Sequence, residues 1–195
     1  DLRVPDKLTL QSINKVFTEI YDAWNSDTFF SLIKAFELPT NNQIKTFSRG
    51  MRMKAALTIA LSHDAKLLIL DEATAGMDVS GREHVLEILE DYLGDDRAIL
   101  ISSHISEDIE QLATQLVFMR DGRIILKESK EVLLSQYGII DQPVEHFNIS
   151  NEYLIATRRR NDRQISLVNN YQKVPDAQPL KTIDDATKII MRGEV

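Results

Sequence analysis

Between residues 8 and 24, apolar side chains recur at Ile13, Val16, Phe17, Ile20, Tyr21 and Trp24, the spacing of threes and fours that lines one face of an α-helix. The spacing predicts a single amphipathic helix over that stretch. A second helix is expected after Ser26 or Asp27, with Phe29, Ile33 and Phe36 on one side. It ends before Pro39, because a proline disfavours helical geometry in the residue ahead of it. Asn41 and Asn42 read as loop. Residues 50–63 predict a third helix, in which Lys54, Thr58 and Ser62 form a polar stripe while Met53, Ala56, Leu57 and Ala60 fill another face. Most of this helix is expected to be buried.

The pattern changes at Lys66. Residues 67–70 and 98–101 are short, continuous apolar runs on either side of a helical stretch over 80–93. Strand, helix, strand with both strands apolar throughout is what a parallel sheet covered on both faces requires. A short helix over 106–113, a strand over 115–119, a turn at Asp121-Gly122 and a strand over 123–127 follow, since Asp-Gly between apolar runs marks a hairpin. A helix over 130–137 closes this part. From residue 138 the pattern weakens into a small α+β appendage. It comprises a hairpin of 153–157 with 164–168 across Asn161-Asp162, and a last helix that Thr182 caps with Asp185 three residues on. The fold class is α/β, with divisions expected at 1–46, 47–137 and 138–195.

Composition removes several classes of function. At 43% hydrophobic residues the 195-residue chain can bury a core, so it is not a disordered segment. With no cysteine there is no disulfide, thiolate metal site or cysteine nucleophile. The apolar runs fall far short of the roughly 18 residues a membrane-spanning helix needs. The first residues lack the basic start and apolar stretch of a secretory leader, so a cytoplasmic location is expected. A net charge of −7 argues against a broad phosphate-tracking surface, and no nucleic-acid partner is expected. The one basic cluster, Arg158-Arg159-Arg160 with Arg163, has no interleaved aromatics for stacking and reads as a solvated hairpin tip.

Candidate chemistry gathers where strands end and helices begin. Asp71 and Glu72 close an apolar strand, and ligands of open α/β sheets bind at the carboxyl ends of strands. Side chains alternate there, so one carboxylate can hold a Mg²⁺ while the other polarises an attacking water, the division that phosphoryl transfer uses. By itself the pair also fits a buried strand ending in solvated acids. Ser48 before Arg49 and Gly50 can cap the third helix, whose free amides and dipole favour an anion, although an ordinary cap has the same look. His104 ends the run Ile-Leu-Ile-Ser-Ser-His at a second strand terminus, where an imidazole can reach a terminal phosphate. Gly76-Met77-Asp78 is a turn into a helix, with Asp78 at the capping position. His63, His84 and His146 have no comparable placement.

Order turns four weak features into one strong one. Phe47-Ser48-Arg49-Gly50-Met51, then residues 67–72, then Ala75-Gly76-Met77-Asp78, then Ser102-Ser103-His104 resembles the ATPase subunit of ATP-binding-cassette (ABC) transporters. In that family these are the signature motif, Walker B, the D-loop and the H-loop. The resemblance covers roughly residues 8–137. More narrowly, the Phe-Ser-Arg-Gly-Met run and the helix opened by Thr182 look like the bacterial bacitracin- and lantibiotic-type exporter branch. The resemblance implies a partial P-loop NTPase fold with a helical subdomain beginning in 1–46, a core half in 47–137 and the α+β appendage in 138–195.

It also implies roles. Asp71 would hold the Mg²⁺ water shell, Glu72 would be the general base and His104 would contact the γ-phosphate of ATP. Ser48 and Gly50 would contact the γ-phosphate of a nucleotide held by a second ATPase subunit, and Asp78 would link the two sites across a head-to-tail dimer. The helices over 8–38 would dock on a membrane-spanning permease, placing the protein on the inner face of the cell membrane. The sequence departs from the family at Arg49, where Gly is usual, at Met51, where Gln is usual, and at Ala73, where Pro is common.

The seven glycines include none that opens a Gly-x-x-x-x-Gly-Lys-[Ser/Thr] run, so the P-loop that cradles the β- and γ-phosphates is missing from these residues. The expectation is a C-terminal part of an ABC ATPase that is inactive alone. Two other readings stand beside it. One is the C-terminal lobe of a chromosome-maintenance or DNA-repair ATPase, which heptad coiled coil would precede, whereas Pro5, Pro39 and two aromatic-rich helices are found. The other is an interaction module that no longer hydrolyses ATP, which would have no need of Glu72.

Overall fold

Thr9 starts the first helix, α1 (Leu10–Ile20), by accepting a hydrogen bond from the Ser12 amide on its hydroxyl, and Leu10 and Ile13 are buried. The computed structural model describes residues 2–194, which form two units divided between His104 and Ile105. In the first unit α1 is shorter than the apolar periodicity predicts. Tyr21 is already extended, and Trp24 lies beyond the helix, where its indole Nε1 donates to Asn14 Oδ1 at 2.8 Å. Its ring sits against Phe17 and Phe29, with centroids at 5.1 and 5.0 Å. The aromatic is thus partly covered by the chain folding back rather than by helix continuation.

Asn25 caps α2 (Ser26–Ala35), which ends as expected before Pro39, with Glu37 in the left-handed region at φ 54°. Ser48 caps α3 (Arg49–Leu61). The predicted polar stripe of α3 needs correction, because Thr58 and Ser62 are fully buried. Their hydroxyls donate to the carbonyls of Lys54 and Thr58, at 2.8 and 2.6 Å, so neither group is left unsatisfied in the core.

The predicted strand–helix–strand unit is present as β1 (Leu67–Asp71), α4 (Val79–Tyr92) and β2 (Ala98–Ser102), and the two strands are parallel. A parallel pair needs a crossover, and α4 supplies it, burying Val85, Leu86 and Leu89. Leu68 is buried, but Leu67, Ile69 and Leu100 are exposed, so cover on both faces, as the sequence suggested, is not found. Parallel pairing among the described residues is confined to this pair.

The second unit starts with α5 (Ser106–Leu112) and the hairpin of β3 (Gln115–Arg120) with β4 (Arg123–Ser129). Asp121 and Gly122 both have positive φ, which matches the twist of a two-residue hairpin. Next come α6 (Lys130–Gln136), β5 (Gly138–Pro143), β6 (Leu154–Arg160), β7 (Arg163–Val168), β8 (Gln178–Pro179) and α7 (Ile183–Ile190). The last four strands form an antiparallel sheet in the order β6-β7-β5-β8. Its core joins Leu116, Phe118, Leu133 and Tyr137 to Ala156, Leu167, Ile183 and Ile190. The boundary expected between 137 and 138 therefore falls inside this unit, because residues on both sides of it share one core.

Candidate functional site

Two clusters of predicted residues lie in the first unit. The first is built on the parallel pair. Register sets Asp71 beside Ser102 at the carboxyl ends of β1 and β2, and the Ser102 hydroxyl donates to Asp71 Oδ1 at 2.5 Å. The Glu72 amide donates to the Ser102 carbonyl at 3.0 Å, which extends the ladder by one residue. Glu72 itself is left-handed, at φ 52°, a conformation uncommon outside glycine. Its side chain meets His104, with Glu72 Oε2 and His104 Nδ1 2.5 Å apart. The imidazole is 71% exposed and the carboxylate 38%, so the pair faces solvent and is reachable by a ligand.

The second cluster surrounds the start of α3. Ser48 Oγ accepts from the Met51 amide at 3.2 Å, as a capping serine should, and keeps its own hydroxyl proton to donate. Gly50 has open space where a Cβ would stand, so its backbone can be approached closely. Asp78 caps α4, accepting from the Gly81 amide at 3.0 Å. Ser48, Gly50 and Asp78 line one open groove of about 430 Å³ together with Arg49, Lys54 and Gly76. The turn from Glu72 to Asp78 links the clusters through the Ala75 amide, bonded to the Glu72 carbonyl at 3.0 Å.

Among the described residues no three His, Asp or Glu side chains gather as a metal cage. A Mg²⁺ ion held together with a nucleotide keeps several waters and takes only one or two carboxylates plus phosphate oxygens. Asp71, exposed at its strand end beside a serine hydroxyl, is a donor of that kind. Sequence reasoning missed Ser102 as a partner. Its signal was positional: once residues 67–71 and 98–102 are aligned as parallel strands, Ser102 is the residue opposite Asp71.

A family model described as ABC transporter matches residues 4–75. The lantibiotic transport ATP-binding protein SrtF of Streptococcus pyogenes is 37% identical over 116 residues, which are 60% of this chain and 47% of that protein. The ABC transporter ATP-binding protein NatA of Bacillus subtilis is 32% identical over 93 residues, 48% of this chain and 38% of NatA. The chain thus spans about half the length, or less, of these curated relatives. Among solved structures, the ATP-binding cassette MJ0796, a dimer in a post-hydrolysis state bound to ADP and Pi, superposes with a TM-score of 0.57 at 17% identity. The match covers 66% of this chain and 59% of that one, and at that identity it is a likeness of fold.

Proposed function

We propose that the chain is a member of the ABC transporter ATPase family, whose model matches residues 4–75, and that it supplies the signature, Walker B, D-loop and H-loop half of a transport ATPase site. The contact between Glu72 and His104 carries this reading. A general base must be held at a fixed orientation with its oxygen open to water, and a partly exposed carboxylate anchored by an imidazole just beyond the end of the neighbouring strand meets both needs. Glu72 takes the proton of the attacking water. His104 holds Glu72 and presents its other ring nitrogen to the terminal phosphate. Asp71, oriented by Ser102, holds the water shell of Mg²⁺. The ion, when bound with ATP, neutralises charge that develops on the phosphates.

Ser48 and Gly50 reach a nucleotide held by a second ATPase subunit, and Asp78 joins the two sites across a head-to-tail dimer. The α1–α2 region docks on a membrane-spanning permease at the cytoplasmic face of the membrane. Val16, Ile20 and Phe30, exposed on these helices, support such a contact. No helix among the described residues is long and apolar enough to cross a membrane. The likeness to a lantibiotic transport protein favours export.

No Gly-x-x-x-x-Gly-Lys run occurs in the 195 residues, so the cradle for the β- and γ-phosphates has to come from elsewhere, and these residues do not turn over ATP alone. Calorimetric titration of the chain with MgATP is expected to give a Kd weaker than about 10 μM. Tighter binding would overturn that statement. In an assembly that supplies a P-loop, Glu72→Gln is expected to lower turnover by about 10²-fold or more while ATP binding is retained. Equal turnover would remove Glu72 from the role of base.

A further inference from the structure

Arg49 opens α3 next to the capping serine, and its side chain runs across the Gly76 turn. A Cβ built on Gly76 would stand 3.2 Å from Arg49 Nε, 3.3 Å from Cδ and 3.4 Å from Cζ. Three successive atoms of the arginine therefore cover the side of Gly76 where any other residue would carry its side chain. Gly76 also has φ 80°, a backbone state that L side chains rarely adopt. Two independent features, the backbone and the overlying arginine, reserve the position for glycine.

The covered turn is a short one. The Ala75 amide bonds to the Glu72 carbonyl at 3.0 Å and the Met77 amide to the Thr74 carbonyl at 3.2 Å, after which Asp78 caps α4. On the other side, Arg49 is fixed at its Cα by the cap that Ser48 places on α3. A guanidinium is planar and weakly hydrated, so it lies flat on exposed peptide at less cost than an ammonium.

We infer that Arg49 is a positioning residue that packs on Gly76 and holds the turn of residues 72–78 against the start of α3. Ser48 and Gly50 on one side of the groove and Asp78 on the other then keep a fixed separation, and the two motifs move as one body. The use of that rigidity in catalysis rests on the function proposed above, but the contact itself does not.

Amide hydrogen exchange on the full 195-residue chain tests it without nucleotide. Arg49→Ala is expected to speed exchange of the Met77 amide at least about threefold, while the Leu57 and Leu89 amides, in the interiors of α3 and α4, keep their rates. Arg49→Lys, which keeps Cδ but loses the planar guanidinium, restores only part of the protection. Gly76→Ala is expected to destabilise the chain less in the Arg49→Ala background than alone, because the tight contact with the arginine has gone while the backbone strain at φ 80° remains. Unchanged Met77 exchange in Arg49→Ala, equally fast exchange in both Arg49 variants, or strict additivity with Gly76→Ala would each overturn the inference. Failure here leaves the Glu72→Gln test of hydrolysis untouched, and failure of that test leaves this one standing.

Discussion

The hydroxyl of Ser102 donates to the carboxylate of Asp71 at 2.5 Å across two parallel strands in which these residues are register partners. The same hydroxyl oxygen lies 3.3 Å from the Glu72 amide, so one small side chain touches both acidic positions. Ser102→Ala leaves the Glu72 amide its bond to the Ser102 carbonyl but frees the Asp71 carboxylate to rotate. The expected loss of folding stability is at most about 1 kcal/mol, as for one exposed hydrogen bond. In an assembly with a P-loop, the Mg²⁺ concentration for half-maximal turnover should rise several-fold, with a smaller change in kcat. A Mg²⁺ titration of ATPase activity checks this, and an unchanged midpoint would take Ser102 out of the site.

Thr182 and Asp185 cap α7 reciprocally. The Asp185 amide donates to Thr182 Oγ1 at 3.3 Å and the Thr182 amide to Asp185 Oδ2 at 3.2 Å. The helix they start buries Ile183, Ala186, Ile189 and Ile190, so its first turn anchors much of the core of the second unit. Thr182→Ala is expected to cost about 1 kcal/mol. Urea unfolding should show a lower midpoint at an unchanged slope, since the cap alters stability and not the surface exposed.

The caps at Ser48, Asp78 and Thr182 and the turns at Asp121-Gly122 and Asn161-Asp162 were legible because each is decided within four residues of chain. So was the parallel pair, from two apolar runs flanking a helix. Strand β5 was not, because Gly138 to Pro143 has no strict alternation and becomes a strand only by lying between β7 and β8. Gly138 is needed there for a long-range reason, since a Cβ would come 2.5 Å from the Gln178 carbonyl oxygen and 2.5 Å from Tyr171 Cβ. Trp24 misled in the opposite way, as its spacing continues the face of α1 while its partners Asn14 and Phe29 are met across a turn. The order of four motifs, at residues 47–51, 67–72, 75–78 and 102–104, raised the expectation of a site, but the left-handed backbone of Glu72 and the contacts of Ser102 with both acidic positions appear only in three dimensions.

Tyr137 gives the second unit an alkaline limit. Burial raises its phenol first, and the nearby Glu128 carboxylate, which accepts its hydrogen bond at 3.3 Å, raises it further, from 10.0 to about 12. In the unfolded chain the phenol loses its proton near 10.0, so the folded state binds more protons between that value and about 12. The contribution is complete below pH 10 and is lost as pH rises through the interval. Tyr137→Phe removes this component together with one hydrogen bond. Urea midpoints at pH 9 and pH 11 should therefore fall further for the wild type than for the variant, and equal falls would show that Tyr137 does not titrate as described.

His63 sets an acid limit on the first unit with the opposite sign. It sits against Tyr21 and Trp24, with ring centroids at 4.5 and 5.1 Å, and burial among these rings lowers its basicity from the ordinary 6.5. The unfolded chain takes up the proton near 6.5, while the folded state resists it until lower pH. The unfolded state thus binds more protons in that window, and stability rises with pH across it. The neutral ring's contribution is complete above 6.5 and is lost as pH falls through the depressed folded value. Trp24 is the only tryptophan in the chain and lies on the titrating ring, so its emission reports the event directly. Protonated imidazole beside an indole quenches it, and fluorescence should fall on acidification with a midpoint below 6.5. His63→Gln should abolish the step. A midpoint at or above the ordinary histidine value would mean that the aromatic cluster does not exclude water from His63, and the acid limit would then have to lie elsewhere in the unit.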